Sequence, residues 1–274
     1  MRIVVTGKEG QIASAVAAVG AEIGLDVRRI GRPDLDLTNP STIFPAIASA
    51  RPDAIISAAA YTAVDKAEIE PELAYAINSA GAGAVAAAAD RLGVPVLHLS
   101  TDYVFDGSKP AAYVETDETA PISVYGASKL EGERLVAAAT ANHAIFRTAW
   151  IYSPHGSNFL KTMLRLGETN KSIRVVADQQ GCPTSAEDAA RALILAAIRM
   201  IECADDVYRG TFHLAASGSA TWAEFAKAVF EGAERLGRRA VEVVPISSAQ
   251  YAAPVRRPQN SVLSAAKLKH VHGI

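Results

Sequence analysis

The chain has 274 residues, 50% of them hydrophobic, with a formal charge of −2 and a pI near 6.3. That length supports one large α/β domain or a main domain with a smaller lobe, and the near-neutral balance excludes a bulk basic surface for nucleic acid or anionic membranes. Cys182 and Cys203 lack metal-ligand and disulfide-framework spacing, and no apolar run approaches the roughly 20 residues that span a bilayer. The first residues, "MRIVVTG", read as a strand without a charged leader, so a cytoplasmic protein with no signal peptide, no membrane partner and no nucleic-acid partner is expected.

In chain order, strands are predicted at Ile3–Val5, Val27–Ile30, Ala54–Ser57, Val96–Ser100 and Ala144–Arg147. Alanine-rich helices are predicted near 11–23, 41–50, 71–92 and 124–139. Continuous apolar strands alternating with helices indicate a parallel sheet buried on both faces, with right-handed crossovers. Beyond residue 150 the pattern loosens into a helix near 158–168, a strand near 173–176, a helix near 186–200, a strand at 211–215 and a helix near 221–236. The last stretch, "APVRRPQNSVL", is rich in proline and arginine. The expected fold is α/β: a Rossmann-type doubly wound parallel sheet with a smaller C-terminal substrate-binding lobe. Residues 1–150, joined by parts of 174–215, are assigned to the first and mainly 151–274 to the second.

"RIVVTGKEGQIASAV" places Gly7 and Gly10 between the first strand and first helix. Glycine permits the tight turn and lets backbone N–H groups approach a pyrophosphate at the helix N-terminus. The spacing is G-x-x-G-x-x-A, with Ala13 at the third small position. A plain strand-to-helix turn is the bland alternative. After the second strand, "RRIGRPDLDLT" puts Arg32 where an acid would hold the ribose of NAD, and a guanidinium there suits a 2′-phosphate. NADPH is the expected cofactor, with NADH also usable, and Asp36 and Leu37 would border the adenine. A solvated basic turn is the competing reading.

Ala58, Ala59 and Ala60 end the strand "DAIIS" with side chains small enough for a dinucleotide to lie flat, and Tyr61 and Thr62 follow. "LHLSTDYVFDG" places Ser100, Thr101 and Asp102 at the carboxyl edge of the sheet, where open α/β sheets bind ligands. Capping of a strand end would explain those hydroxyls equally well. "VYGASKLEGERL" then offers Tyr125 and Lys129 four apart on one helical face. Such a pair arises by chance in roughly one chain in four of this composition, so its weight comes from what precedes it. The ammonium is expected to lower the phenol pKa from about 10, giving a proton donor for a carbonyl that becomes an alkoxide. Lys129 would also hold the nicotinamide ribose. His98 reads as a core histidine and Trp222 as a core aromatic, and no zinc-type spacing occurs.

Taken together, "GKEGQI", "AAYTAVDKAE", "STDYVFDG", "YGASKLEGE", "FRTAWIY", "NFLKTMLRL", "DQQGCPT" and "RRPQNSVL" span nearly the whole chain. In combination they resemble the dTDP-4-dehydrorhamnose reductase family of extended short-chain dehydrogenases/reductases. The resemblance implies Tyr125 as proton donor, Lys129 as its partner and Thr101 beside the substrate carbonyl. Asp102 and Trp150 would contact a dTDP-4-keto-6-deoxy sugar. Gly10, Gln11, Ile12, Asp36, Leu37, Ala60, Tyr61 and Thr62 would contact the cofactor, with Ser100 beside them and Asn78 acting through a water. Arg256, in an ordered Pro/Asn loop, suits a diphosphate. Some relatives dimerise through magnesium held by an acid in the first helix. Ala15 stands near that position here, so no metal and a monomer or weak homodimer are expected. The family continues into another helix after the "NSVL" region, whereas this chain stops at "KHVHGI". Two rivals remain open: a nucleotide-sugar epimerase or dehydratase that retains NAD, and a non-catalytic dinucleotide-binding regulatory subunit. Asp102-Tyr103 after Thr101, in place of an Asp-Glu pair, speaks for plain reduction.

Overall fold

Ile3, Val4 and Val5 are all fully buried, as are Ile55 and Ile56, the partners of Val4 and Val5 on the adjacent strand. Strands without a solvent face need cover on both sides, and helices supply it. The structure, a computed structural model, describes residues 1–251 and 253–274. Six parallel strands lie in the order Gly210–His213, His143–Thr148, Val96–Thr101, Ala54–Ser57, Arg2–Thr6 and Asp26–Ile30. Ile3 is in register with Val27 on one side and Ala54 on the other. The chain order reverses around the first strand, and that reversal opens a crevice at the carboxyl ends.

One face is covered by the helices Gln11–Glu22 and Ala186–Glu202, with Val16, Val19, Leu193 and Ile194 in the core. The other carries Pro40–Ala50, Ala82–Leu92 and Val124–Ala139, burying Ile43, Ile47, Val85 and Val136. The predicted helix at 71–92 is interrupted. Pro71–Tyr75 and Ala82–Leu92 flank a π-helical turn, Ala76–Gly81, and such turns frequently mark functional sites.

Beyond the sheet, the helices Phe159–Thr169 and Trp222–Arg235 pack around Met163, Val175, Phe225 and Phe230. Thr221 and Glu224 form a capping box that fixes where the second of these begins. Several elements of this region have no counterpart in the predicted pattern, a strand and a helix of five or more residues among them. The strand Glu242–Ile246 pairs in parallel with Ser172–Val176, and the helix Ala266–His272 returns to the sheet-side core through Leu268. A helix does therefore follow the "NSVL" stretch. That stretch itself is pinned across the lobe: Leu263 bridges Tyr113, and Asn260 donates to the carbonyls of Lys109 (2.6 Å) and Ala111 (3.0 Å).

Candidate active site

A cleft of about 1050 Å³ runs along the carboxyl ends of the strands and is closed on its far side by Trp150, Gly156, Ser157 and Trp222. Its first wall is the turn after Arg2–Thr6. Gly7 has φ +102, a conformation that side-chain-bearing residues rarely adopt, and a β-carbon there would face Ala59 at 3.7 Å. Gly10 caps the helix Gln11–Glu22 with no side-chain acceptor, so the first-turn N–H groups remain available at the positive end of the helix dipole. The Thr6 hydroxyl accepts from Ala58 N and Ala59 N, both at 3.0 Å, which brings Ala58, Ala59 and Ala60 beside this loop. Free donors, small side chains and an elongated cleft fit a dinucleotide diphosphate. Gln11, Ile12, Tyr61 and Thr62 also line the cleft.

Asn78 sits in the π-helical turn and holds the Tyr61 backbone at both ends. Its Oδ1 accepts from Tyr61 N at 2.8 Å, and its Nδ2 donates to Tyr61 O and to Ser128 Oγ, each at 3.0 Å. Its amide is thus committed to clamping the Tyr61 loop onto the helix that carries Tyr125. At the Lys8 edge of the cleft, Arg32 is exposed and lines it with Lys8, Asp36 and Leu37. Lys8 is paired with Asp34 at 2.9 Å. The Asp36 carboxylate is engaged by the Thr38 hydroxyl and backbone N–H, which hold it below the usual carboxylate range. Arg32 is therefore the cation at this edge without an ion-pair partner among the described contacts.

The second wall carries the hydroxyls of Ser100, Thr101 and Tyr125. Val96–Thr101 ends with Thr101 Oγ1 donating to Asp102 Oδ1 at 2.9 Å and accepting from Tyr103 N at 3.2 Å. Asp102 is buried, its Oδ2 has no partner, and burial pushes its pKa up to about 6 against the opposing pull of nearby Ser261 and Thr101. Ser123 caps the helix Val124–Ala139 by accepting from Gly126 N at 3.1 Å. Gly126 then lets the helix press onto the Tyr103 carbonyl, which any β-carbon would strike. This contact sets Tyr125 edge-on to Tyr103, ring centres 5.8 Å apart, with Thr101 close enough for its hydroxyl to act on the phenol.

Tyr125 and Lys129 both line the cleft, but the expected lowering of the phenol pKa is not what the site does. Burial dominates and pushes Tyr125 up to about 12, only partly opposed by the Thr101 hydroxyl. Lys129 Nζ is turned to the Leu99 carbonyl at 2.6 Å and lies 3.3 Å from His98 Nε2. Burial brings its own pKa down to about 8, with Glu133 pulling the other way. Ser100 also lines the cleft, yet its hydroxyl donates inward to Glu133 Oε1 at 2.5 Å. Glu133 is gripped by Arg147 at 2.7 Å, and both side chains are buried.

Trp150 has φ +49, and its indole stacks on Trp222 at 3.4 Å with an interplanar angle of 6°. Trp222 is thus a cleft wall, not the purely core aromatic its helical spacing implied. Nothing in a local sequence window announces that stacking. Arg256 is exposed and does not line the cleft, whereas its neighbour Arg257 pairs with Asp65 at 3.1 Å. Glu133 and Arg147 escaped the sequence reading. The signal available was Glu133 falling four residues after Lys129, on the same helical face. Among the described residues no group of three or more His, Cys, Asp or Glu side chains is placed to hold a metal ion.

The family model for the RmlD substrate binding domain matches residues 1–274. The dTDP-4-dehydrorhamnose reductase of Sinorhizobium fredii (strain NBRC 101917 / NGR234) is 54% identical over 274 residues, covering 100% of this chain and 92% of the relative. The dTDP-4-dehydrorhamnose reductase of Escherichia coli (strain K12) is 43% identical over 277 residues, covering 98% and 91% respectively. The crystal structure of dTDP-4-dehydrorhamnose reductase from Bacillus anthracis str. Ames, in complex with NADP, superposes with a TM-score of 0.90 at 38% identity, covering 98% of this chain and 92% of that one. The chain belongs to the family of the RmlD substrate binding domain, that of the dTDP-4-dehydrorhamnose reductases.

Proposed function

We propose that this chain is an NADPH-dependent oxidoreductase that reduces the C4 ketone of dTDP-4-dehydro-β-L-rhamnose to the hydroxyl of dTDP-L-rhamnose, a step of nucleotide-sugar biosynthesis. The observation that carries the reading is the meeting of Thr101, Tyr125 and Lys129 in the same cleft as the Gly7–Gly10 turn and the alanines 58–60. The relatives' names and the NADP complex of the Bacillus anthracis protein support it. NADPH supplies the hydride. Gly7, Gly10, Gln11 and Ile12 would hold its diphosphate, Asp36 and Leu37 would border the adenine, and Arg32 would meet the 2′-phosphate. Because only Arg32 favours the phosphate and no acid at Ile30 or Gly31 selects the ribose hydroxyl, NADH would also serve.

Thr101 and Tyr125 would receive the C4 oxygen between them. With a pKa near 12 the phenol keeps its proton at neutral pH and surrenders it only to a far stronger base, the alkoxide that forms as the carbonyl is reduced. Lys129 fixes the ribose and supplies positive charge beside the developing oxyanion. Asp102 and the Trp150 indole would contact the sugar. No helix among the described residues is long and apolar enough to cross a membrane, and we place the enzyme in the cytoplasm as a monomer or weak homodimer.

The test is consumption of NADPH with a panel of 4-keto nucleotide sugars, with product identification. One NADPH oxidised per C4 hydroxyl formed is expected. Protein that retains NAD and shows no net oxidation would instead be an epimerase or dehydratase. Dinucleotide binding without any turnover would make it a regulatory subunit.

A further inference from the structure

His98 is completely enclosed in the central strand Val96–Thr101 and touches no surface of the cleft. It nevertheless reaches the cleft's lysine. Its Nε2 lies 3.3 Å from Lys129 Nζ and its Nδ1 lies 3.2 Å from Ser57 Oγ. An ammonium has three N–H donors and no acceptor, so Nε2 can meet Lys129 only with its lone pair. The ring proton must then sit on Nδ1, where it donates to Ser57 Oγ. Desolvation and the neighbouring Lys129 charge hold His98 well below the ordinary histidine pKa, which keeps that lone pair free.

We propose that His98 is a positioning residue for Lys129: its Nε2 and the Leu99 carbonyl take two of the three ammonium N–H groups and aim the third at the ribose side of the cleft. A lysine has many rotamers, and a buried one that must meet a ribose hydroxyl gains from having two of its donors fixed beforehand. Ser57 completes the device by accepting the Nδ1 proton and holding the ring's orientation, much as outer partners orient metal-bound imidazoles. The two acceptors, a side chain and a carbonyl, belong to successive residues of the same strand, so the strand that ends in Thr101 also sets the lysine's direction.

This inference rests on the cleft being a dinucleotide site, and NADPH titration tests it without any sugar substrate. His98→Leu should raise the NADPH dissociation constant about tenfold, the order expected for a lost hydrogen bond to a charged group. His98→Gln places an amide oxygen where Nε2 was and should stay within about threefold of wild type. His98→Asn reaches only toward Ser57 and should behave like the leucine variant. Because His98 acts through Lys129, the double variant H98L/K129M should bind no more weakly than K129M alone. Should the leucine variant fail to fold, the glutamine and asparagine variants decide, since both are polar and differ in reach. Equal NADPH affinity of these two, unchanged affinity in a folded H98L, or full additivity of H98L with K129M overturns the proposal. A purely packing role would lower melting temperature in all the variants without separating Gln from Asn. If NADPH binding follows the expected series but no 4-keto sugar is reduced, the reductase reading fails and the positioning role stands.

Discussion

Ser100 gives its hydroxyl to Glu133 Oε1 at 2.5 Å, and the same carboxylate receives Arg147 Nη2 at 2.7 Å and Nε at 3.0 Å from Oε1. One buried acid thereby ties the strand ending in Thr101, the helix carrying Tyr125 and the adjoining strand His143–Thr148. Arg147 lies in turn 5.2 Å over the Phe105 ring. Glu133→Gln leaves an enclosed guanidinium without its counter-charge, a change that costs about 3–5 kcal/mol. At about 2–4 °C per kcal/mol for chains of this size, the melting temperature should fall by roughly 6–20 °C. A melting curve superimposable on wild type would show that water reaches this pair in solution.

Tyr125→Phe keeps the ring contacts with Tyr103 and removes the acid. Turnover should drop by at least about 100-fold, the lower end for general acid catalysis, while NADPH affinity changes far less. Near wild-type reduction by this variant would remove Tyr125 from the role of proton donor.

Thr101→Val is a harsher change than a lost substrate contact alone, because the Thr101 hydroxyl also donates to Asp102 Oδ1. Turnover should fall at least about tenfold, with a loss of 2.7–4 kcal/mol at an oxyanion site as a rough ceiling. Thr101→Ser keeps the hydroxyl and should recover most of the rate. A serine variant as slow as the valine variant would point to packing of the methyl group as the missing element.

Asp102 should write itself into the pH dependence of stability. Its folded pKa of about 6 lies above the ordinary 3.8 of an aspartate, so between these values the folded state binds the extra proton. The favourable contribution is complete below about pH 4 and is lost as pH rises through 6. Two pKa units correspond to about 3 kcal/mol. Asp102→Asn should therefore be more stable than wild type at pH 8, with the gap closing toward pH 4, as read by urea unfolding across that range. A gap that does not change with pH would contradict the enclosed, unpartnered Oδ2.

Arg32→Ala should raise the Michaelis constant for NADPH and leave that for NADH nearly unchanged, since only a phosphate contact disappears. Equal effects on the two cofactors would place the 2′-phosphate elsewhere, with Lys8 the nearest alternative on the same edge.

Much of this architecture is written locally. The strand Ala54–Ser57 and the helix Val124–Ala139 occur where apolar runs and periodicity place them, and Gly7 has the positive φ its position in the turn calls for. What local reading misses is governed by distant partners. The break in the helix over 71–92 follows from Asn78 reaching the Tyr61 backbone, a contact across the cleft wall. The Tyr125 pKa rises because burial acts on the phenol, and the Lys129 ammonium is turned to Leu99 and His98. His98 looks like filler in an apolar strand, and only the third dimension sets its ring against the lysine. Arg256, attractive as a diphosphate ligand beside two prolines, is exposed and does not line the cleft.

After Thr148 the chain leaves the sheet for Ile151–Tyr152 and Phe159–Thr169, then returns as Ala186–Glu202 and Gly210–His213. It departs again for Trp222–Arg235 and Glu242–Ile246, and comes home in Ala266–His272. Sheet and lobe are consequently stitched together, and no single cut frees one from the other. A protease nick in any lobe loop leaves both fragments rooted in the same core, so nicked protein should hold together until it is denatured. For the engineer, a chimera joined once near residue 150 exchanges the covering helix Ala186–Glu202 and the edge strand Gly210–His213 along with the lobe. Grafting a new substrate range from a relative calls for moving two separate stretches, 149–185 and 215–262, as one transplant.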